Sequence, residues 1–224
     1  MKKMKLTALF LSVMIVISGC GSMNNTGKGA MIGGGSGAAL GAAIGGIFGK
    51  GKGAAIGAAI GTAVGATTGT IIGKKMDKKA AEAAKIEGAK VEQITDANGL
   101  SAVKVSFSSG ILFGFNSSKL SEKSKVALKE FAELLKEDTT IDIAIFGHTD
   151  KVGSLEANQK VSQNRALAVQ NYLQKCGVSA SQFKEVRGLG YTQYDESKSA
   201  DDNRRVEVYM YASAKMIEEA NAGK

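Results

Sequence analysis

Glycine occupies every fourth position from Gly29 to Gly73, twelve in strict register. The register is carried by two charge-free runs, 29–49 and 53–73, of 21 residues each, with Lys50-Gly51-Lys52 between them. An interior glycine costs a helix about 1 kcal/mol relative to alanine, so helices this rich in glycine do not hold in water by themselves. In hydrocarbon the balance reverses, because helix is the only local way to pair every backbone group. Each run would span about 31 Å as a helix, close to the thickness of a bilayer core. Small residues four apart also let two helix backbones approach closely. The register therefore predicts a helical hairpin over 29–73 that packs in or against a membrane, with self-association as a corollary. A flexible Gly/Ala linker is the alternative, but linkers are polar, whereas Ile44, Ile47, Phe48, Ile56, Ile60, Val64, Ile71 and Ile72 are interposed here.

The segment before the hairpin begins MKKMK and continues with 13 uncharged residues, Leu6 to Ser18, too short to span but right for a signal peptide's apolar core. Ile17-Ser18-Gly19-Cys20 follows and resembles a bacterial lipobox. That resemblance implies a signal peptide over 1–19, an acylated Cys20 heading a lipidated stretch at 20–28, and, with Gly21 and no Asp after the cysteine, an outer-membrane destination. Cys176 is then the only other cysteine and cannot pair internally; a small core residue or an intermolecular bridge are its two readings.

Charge separates the halves. Residues 1–99 carry 12 Lys against 5 acidic residues, and residues 100–224 carry 17 Lys and Arg against 16. Nucleic-acid binding would want the basic surface on the folded part, with aromatic platforms interleaved, so no nucleic-acid partner is expected. Residues 74–98 read as a charged helical linker and the start of a hairpin with Asn98-Gly99 at its tip. Beyond them the pattern is regular. Strands are expected at Ile111–Phe115, Ile141–Gly147, and within EVRGLG and RRVEVYMYA. Helices are expected after Ser121, which caps the first, and from about Leu155 to Lys175, ended by Gly177. The fold class is α+β, a β-α-β-α-β-β sandwich domain over 99–213, followed by a tail at 214–224.

Four segments in order, FGFNSSKL, GHTDxxG, NxxVSxxRA and NRRVE, resemble the OmpA-like peptidoglycan-binding domain over roughly residues 105 to 212. With the signal and the glycine register, the chain resembles an OmpA-family outer-membrane lipoprotein whose wall domain faces the periplasm. The resemblance implies a peptidoglycan partner, bound through the diamino acid of the stem peptide, usually diaminopimelate. Such a group offers an ammonium beside a carboxylate, which Asp150 and Arg165 would meet as a carboxylate and a planar fork. Thr149, Asn116, Asn203, Arg204 and Arg205 are carried over as supporting contacts. Asn116 stands where the family often has Asp, and strand alternation sends Arg204 and Arg205 to opposite faces, so at most one of them meets the ligand. His148 is expected to order its loop by hydrogen bonding. No cofactor, metal or catalytic group is expected.

The function expected is a non-catalytic tether between membrane lipid and wall. Two rivals stand beside it: a membrane oligomer or pore in which the wall domain only sets position, and an envelope enzyme, for which no metal-ligand cluster or paired carboxylates are visible. A stator role is disfavoured because neither apolar run contains an intramembrane acid.

Overall fold

In the computed structural model the described residues are 65–223, except 97, 115 and 116. The readings made for 1–19, Cys20, 20–28, the first apolar run and most of the second lie outside them, as does Asn116. The elements in order are α1 (Ala66–Ala83), β1 (Ala89–Thr95), β2 (Ser101–Ser108), α2 (Ser109–Leu112), α3 (Glu122–Lys136), β3 (Ile141–Gly147), α4 (Leu155–Lys175), β4 (Phe183–Gly188), α5 (Ala200–Asn203), β5 (Arg205–Ala212) and α6 (Ala214–Asn221). The strands form one mixed sheet in the order β1-β2-β5-β3-β4, with only β3 and β4 parallel. The expected α+β class holds, as one five-stranded sheet with helices layered on one face.

Alternation decides the layering. Val103, Val105 and Phe107 on β2, Ile141, Ile143 and Ile145 on β3, and Val206, Val208 and Met210 on β5 point to the same side. There they meet Leu128, Phe131 and Leu135 of α3 and Ala166, Val169 and Leu173 of α4. Ser121 and Ser154 cap these helices by accepting from Ser124 N and Ala157 N, as serine does at an N-cap. Gly177, at φ +99°, closes the second.

Three sequence expectations change. No strand forms over the described part of Ile111–Phe115: Ser109–Leu112 is a helical turn, and Phe113 makes a lone bridge to Leu120. Burial explains it, because Leu112 drops into the core under α3 instead of alternating along an edge. The tail expected at 214–224 holds a packed helix, Ala214–Asn221, with Met216, Ile217 and Ala220 buried. The third change has the largest reach. Residues 74–83 are no solvated spacer but the second half of α1, and that helix begins within the glycine register. Ile72, Met76, Ala80 and Ala83, spaced four, four and three apart, form an apolar stripe that seats α1 in the main core. Lys79 is buried and clamped by Glu137 at the end of α3 at 2.6 Å and Glu82 at 3.1 Å. Thr68 Oγ1 donates to Asn221 of α6 at 2.6 Å.

The boundary expected at 73/74 thus falls inside one continuous helix. With α1 in place, residues 53–64 of the second apolar run precede the described part of the chain. Twelve residues make a helix of about 18 Å, well short of a bilayer core of about 30 Å. No helix among the described residues is long and apolar enough to cross one. Because Ile72 is fully buried, Ile72→Ala should destabilise the domain by about 2–5 kcal/mol, read as a fall in the urea midpoint with unchanged slope; an unaffected midpoint would place α1 outside the cooperative unit.

Candidate functional site

The site lies at the sheet end where β3 runs out into Gly147-His148-Thr149-Asp150 and β5 begins at Arg205. Two glycines make it possible. Gly147 and Gly188 are register partners on β3 and β4, and α4 crosses directly over both. A Cβ on Gly147 would come 2.9 Å from the Ser162 carbonyl carbon, and one on Gly188 would come 2.7 Å from Gln163 Cα. Backbone this close lets α4 reach the strands with polar side chains. Ser162 Oγ accepts from Gly190 N at 2.9 Å, Gln163 Oε1 accepts from Gly188 N at 2.7 Å, and Gln159 Nε2 donates to the Gly188 carbonyl. Asn158 Nδ2 bonds the Val152 and Ser154 carbonyls at 2.8 and 3.0 Å, fixing the 150–154 loop to the start of the helix.

On this frame Asp150 and Arg165 come together, with Arg204 as a third member. Asp150 Oδ1 accepts from Val152 N at 3.0 Å and its other oxygen pairs with Arg204. Arg204 also pairs with the exposed Asp201. Arg165 is only 8% exposed. Its Nε donates to the Ser117 carbonyl at 3.1 Å and its guanidinium lies 5.3 Å from the centre of the Phe113 ring. Among the described residues it has no carboxylate partner. Burial and the neighbouring Arg204 lower its pKa, while Asp150 pulls it back up; an arginine so placed stays charged at neutral pH. Arg204 thus holds two carboxylates, Asp150 and Asp201, while the Arg165 guanidinium holds none of its own among the described residues.

The neighbouring arginines diverge. Arg204 turns to Asp150, whereas Arg205 Nε donates to Glu207 on the face of the sheet opposite α3 and α4 at 2.7 Å. Asn203 is wholly buried and spends its amide on the 195–199 loop, accepting from Asp195 N at 2.8 Å and donating to the Asp195 and Ser199 carbonyls at 3.0 Å each. Arg205 and Asn203, expected beside the ligand, are instead occupied in bracing because burial leaves their polar groups no water to bond. Thr149 is anchored by its N–H to the Gly190 carbonyl at 2.9 Å, and its hydroxyl is buried without a hydrogen-bond partner among the described residues. Sequence reasoning missed Phe113 and Ser117, which hold Arg165; the FGFNSS segment was the available signal.

His148 orders the loop as expected. Its Nε2 lies 3.2 Å from Glu207, which also accepts from the Tyr209 hydroxyl at 2.8 Å. Burial holds the His148 pKa below its ordinary value against the pull of Glu207. Burial pushes the Glu207 carboxyl up, but the His148 hydrogen bond and the charges of His148 and Arg205 outweigh it and hold the group well below the usual carboxylate range. Both groups bind protons more readily in the unfolded chain, so both make stability fall as pH falls. The His148 part begins near pH 6.5, its unfolded value. His148→Asn should flatten that first part of the acid limb, just below about pH 6.5, in urea titrations; an unchanged limb would assign it elsewhere.

Comparison with known proteins places these features. The sequence profile described as the OmpA family matches residues 112–207, and that described as the YMGG-like Gly-zipper matches residues 1–77. Outer membrane porin F of Pseudomonas aeruginosa is 36% identical over 132 residues, covering 54% of this chain and 36% of that one. The peptidoglycan-associated lipoprotein of Legionella pneumophila is 36% identical over 107 residues, covering 46% of this chain and 60% of its own. The chain thus spans less than two thirds of either relative. A MotB-like protein from Desulfovibrio vulgaris superposes with a TM-score of 0.55 at 19% identity, covering 65% of this chain and 96% of that structure, which shows a shared fold.

Proposed function

From the premise that residues 112–207 are an OmpA-family domain carried behind a Gly-zipper segment, we propose that this chain is a non-catalytic envelope tether that binds the peptidoglycan stem peptide. The observation that carries the reading is the Arg165 guanidinium. A buried guanidinium with no carboxylate of its own, beside an acid already neutralised by Arg204, calls for a ligand that brings a carboxylate. The ammonium of the same ligand group would be met by Asp150, with Arg204 retained by Asp201. Diaminopimelate in the stem peptide supplies both charges on one carbon. The likeness to a peptidoglycan-associated lipoprotein supports the same reading, and a lipid on Cys20 in the outer membrane would complete the tether.

The test is co-sedimentation of the full chain with purified sacculi at two salt concentrations, with free diaminopimelate as competitor. Asp150→Asn should weaken retention about tenfold or more, the loss expected for one charge-assisted bond, and the competitor should release the wild type. Equal retention of wild type and variant, or indifference to the competitor, would overturn the assignment.

A further inference from the structure

Every helix among the described residues that packs on the sheet does so on one side, yet the other side carries an apolar cluster of its own: Ala144, Phe146, Leu189 and Tyr209, with Ile94 and Tyr211 beside it. No helix among the described residues contributes to it, although Ala144 and Phe146 are 0% and 1% exposed. The register shows its shape. Ile94 opposes Ala102, Ala102 sits one residue from the Val103–Met210 pair and so across from Tyr211, and Ala144 opposes Tyr209. Two alanines thus form a low floor between aromatic walls. At one end the carboxylates of Asp142, Glu185 and Asp96 gather around Tyr211; burial first, and then these charges, raise its hydroxyl pKa well above the ordinary value.

We propose that this face is the docking seat of residues 29–64 of the same chain. Three observations choose that occupant. The first is where the described chain ends. A Cβ on Gly73 would lie 3.5 Å from Ser101 Oγ, and Thr68 bonds Asn221, so α1 starts at the Ser101 and Ala212 end of the sheet, beside Ala102 and Tyr211. Rounding the edge of a sheet takes only three or four extended residues, at about 3.3 Å each. The second is length: with α1 docked, residues 53–64 of the second run make a helix well short of a bilayer core. The third is complementarity. A glycine every fourth residue lets a helix backbone sit close on an alanine floor, as small residues do between helices, and Ile44, Ile47, Phe48, Ile56, Ile60 and Val64 supply side chains for the aromatic walls. Residues 29–64 carry Lys50 and Lys52 and no acid, so they bring no like charge to the Tyr211 end, where Asp142 is paired with Lys184 and Glu185 with Arg187. The seat goes beyond the tether reading and does not depend on wall binding.

Hydrogen exchange of the full chain, read by mass spectrometry on peptides from 29–64, tests it. These peptides should exchange at least about tenfold more slowly than unstructured chain, and Ala144→Arg should remove that protection while β2 and β5 stay protected. Unprotected peptides in the wild type, or protection that survives Ala144→Arg, would overturn the seat. Should that variant fail to fold, a Cys176→Ser chain carrying Gly45→Cys and Ala102→Cys gives a second reading by disulfide trapping. Cross-links within one chain, at a rate independent of dilution, support the seat. Cross-links only between chains, or none, overturn it.

Discussion

Arg165→Gln should abolish retention on sacculi, a loss of tenfold or more, and leave the thermal midpoint nearly unmoved. The two expectations come from one fact. A buried guanidinium that lacks a carboxylate partner contributes little to folding, because its desolvation is offset only by the Ser117 carbonyl and the Phe113 ring. In the proposed complex the same largely buried group would meet a carboxylate, and charge-assisted bonds contribute about 1.5–3 kcal/mol each. Arg165→Lys should recover only part of the binding, since an ammonium cannot form the two parallel bonds of the fork. Co-sedimentation together with differential scanning calorimetry separates the outcomes. A large fall in midpoint with Arg165→Gln would make this residue a structural brace and remove its lack of a carboxylate partner as a basis for function.

Gly147→Ala should do the opposite, unfolding the domain before it affects the ligand groups directly. The new methyl would meet the Ser162 carbonyl of α4, backbone that cannot rotate aside. Either α4 lifts off β3 and β4 or the strand shifts, and overpacking of this kind costs about 3 kcal/mol or more. For a domain of this size that is a fall in thermal midpoint of about 10 °C. Gly99→Ala is the control. Its φ of +77° makes alanine unfavourable, but nothing lies within 4 Å of the added Cβ, so the cost should stay near 1–2 kcal/mol. If the two variants melt together, close helix approach is not what Gly147 provides.

Much of this was readable from the residues, for physical reasons that differ from place to place. The α3 and α4 helices announce themselves through serine caps and apolar spacing, and Asp96 with Asn98-Gly99 sets the β1–β2 turn, because local chemistry decides those features. That Asp150 and Arg165 lie near one another was legible through the motif order, but that Asp150 pairs with Arg204 was not. What stayed hidden depends on contacts between residues far apart in sequence. The seating of α1 follows from a stripe that begins inside the glycine register, where composition masks Ile72. The strand expected at Ile111–Phe115 gave way to tertiary burial of Leu112. Arg204 and Arg205 look equivalent in sequence; only the position of Asp150 on one side and Glu207 on the other separates them. Asn203 resembles a ligand contact until the 195–199 loop is seen to use its whole amide.

The poles of the domain set how it would carry load. The chain enters through α1 at the Ser101 and Ala212 end of the sheet, and the Asp150–Arg165 cluster lies at the opposite end, where Arg205 pairs with Ser108. Tension between a membrane and the wall would therefore run lengthwise, along β2 and β5 and along the axis of α1. Ladder hydrogen bonds pulled in that direction are sheared together and must fail as a group. A pull across the sheet would open them one at a time, like a zip. Lys79, tied to Glu137 at the end of α3, cross-links the entering helix to its neighbour in the same layer, so the first element to feel the strain is also fastened sideways.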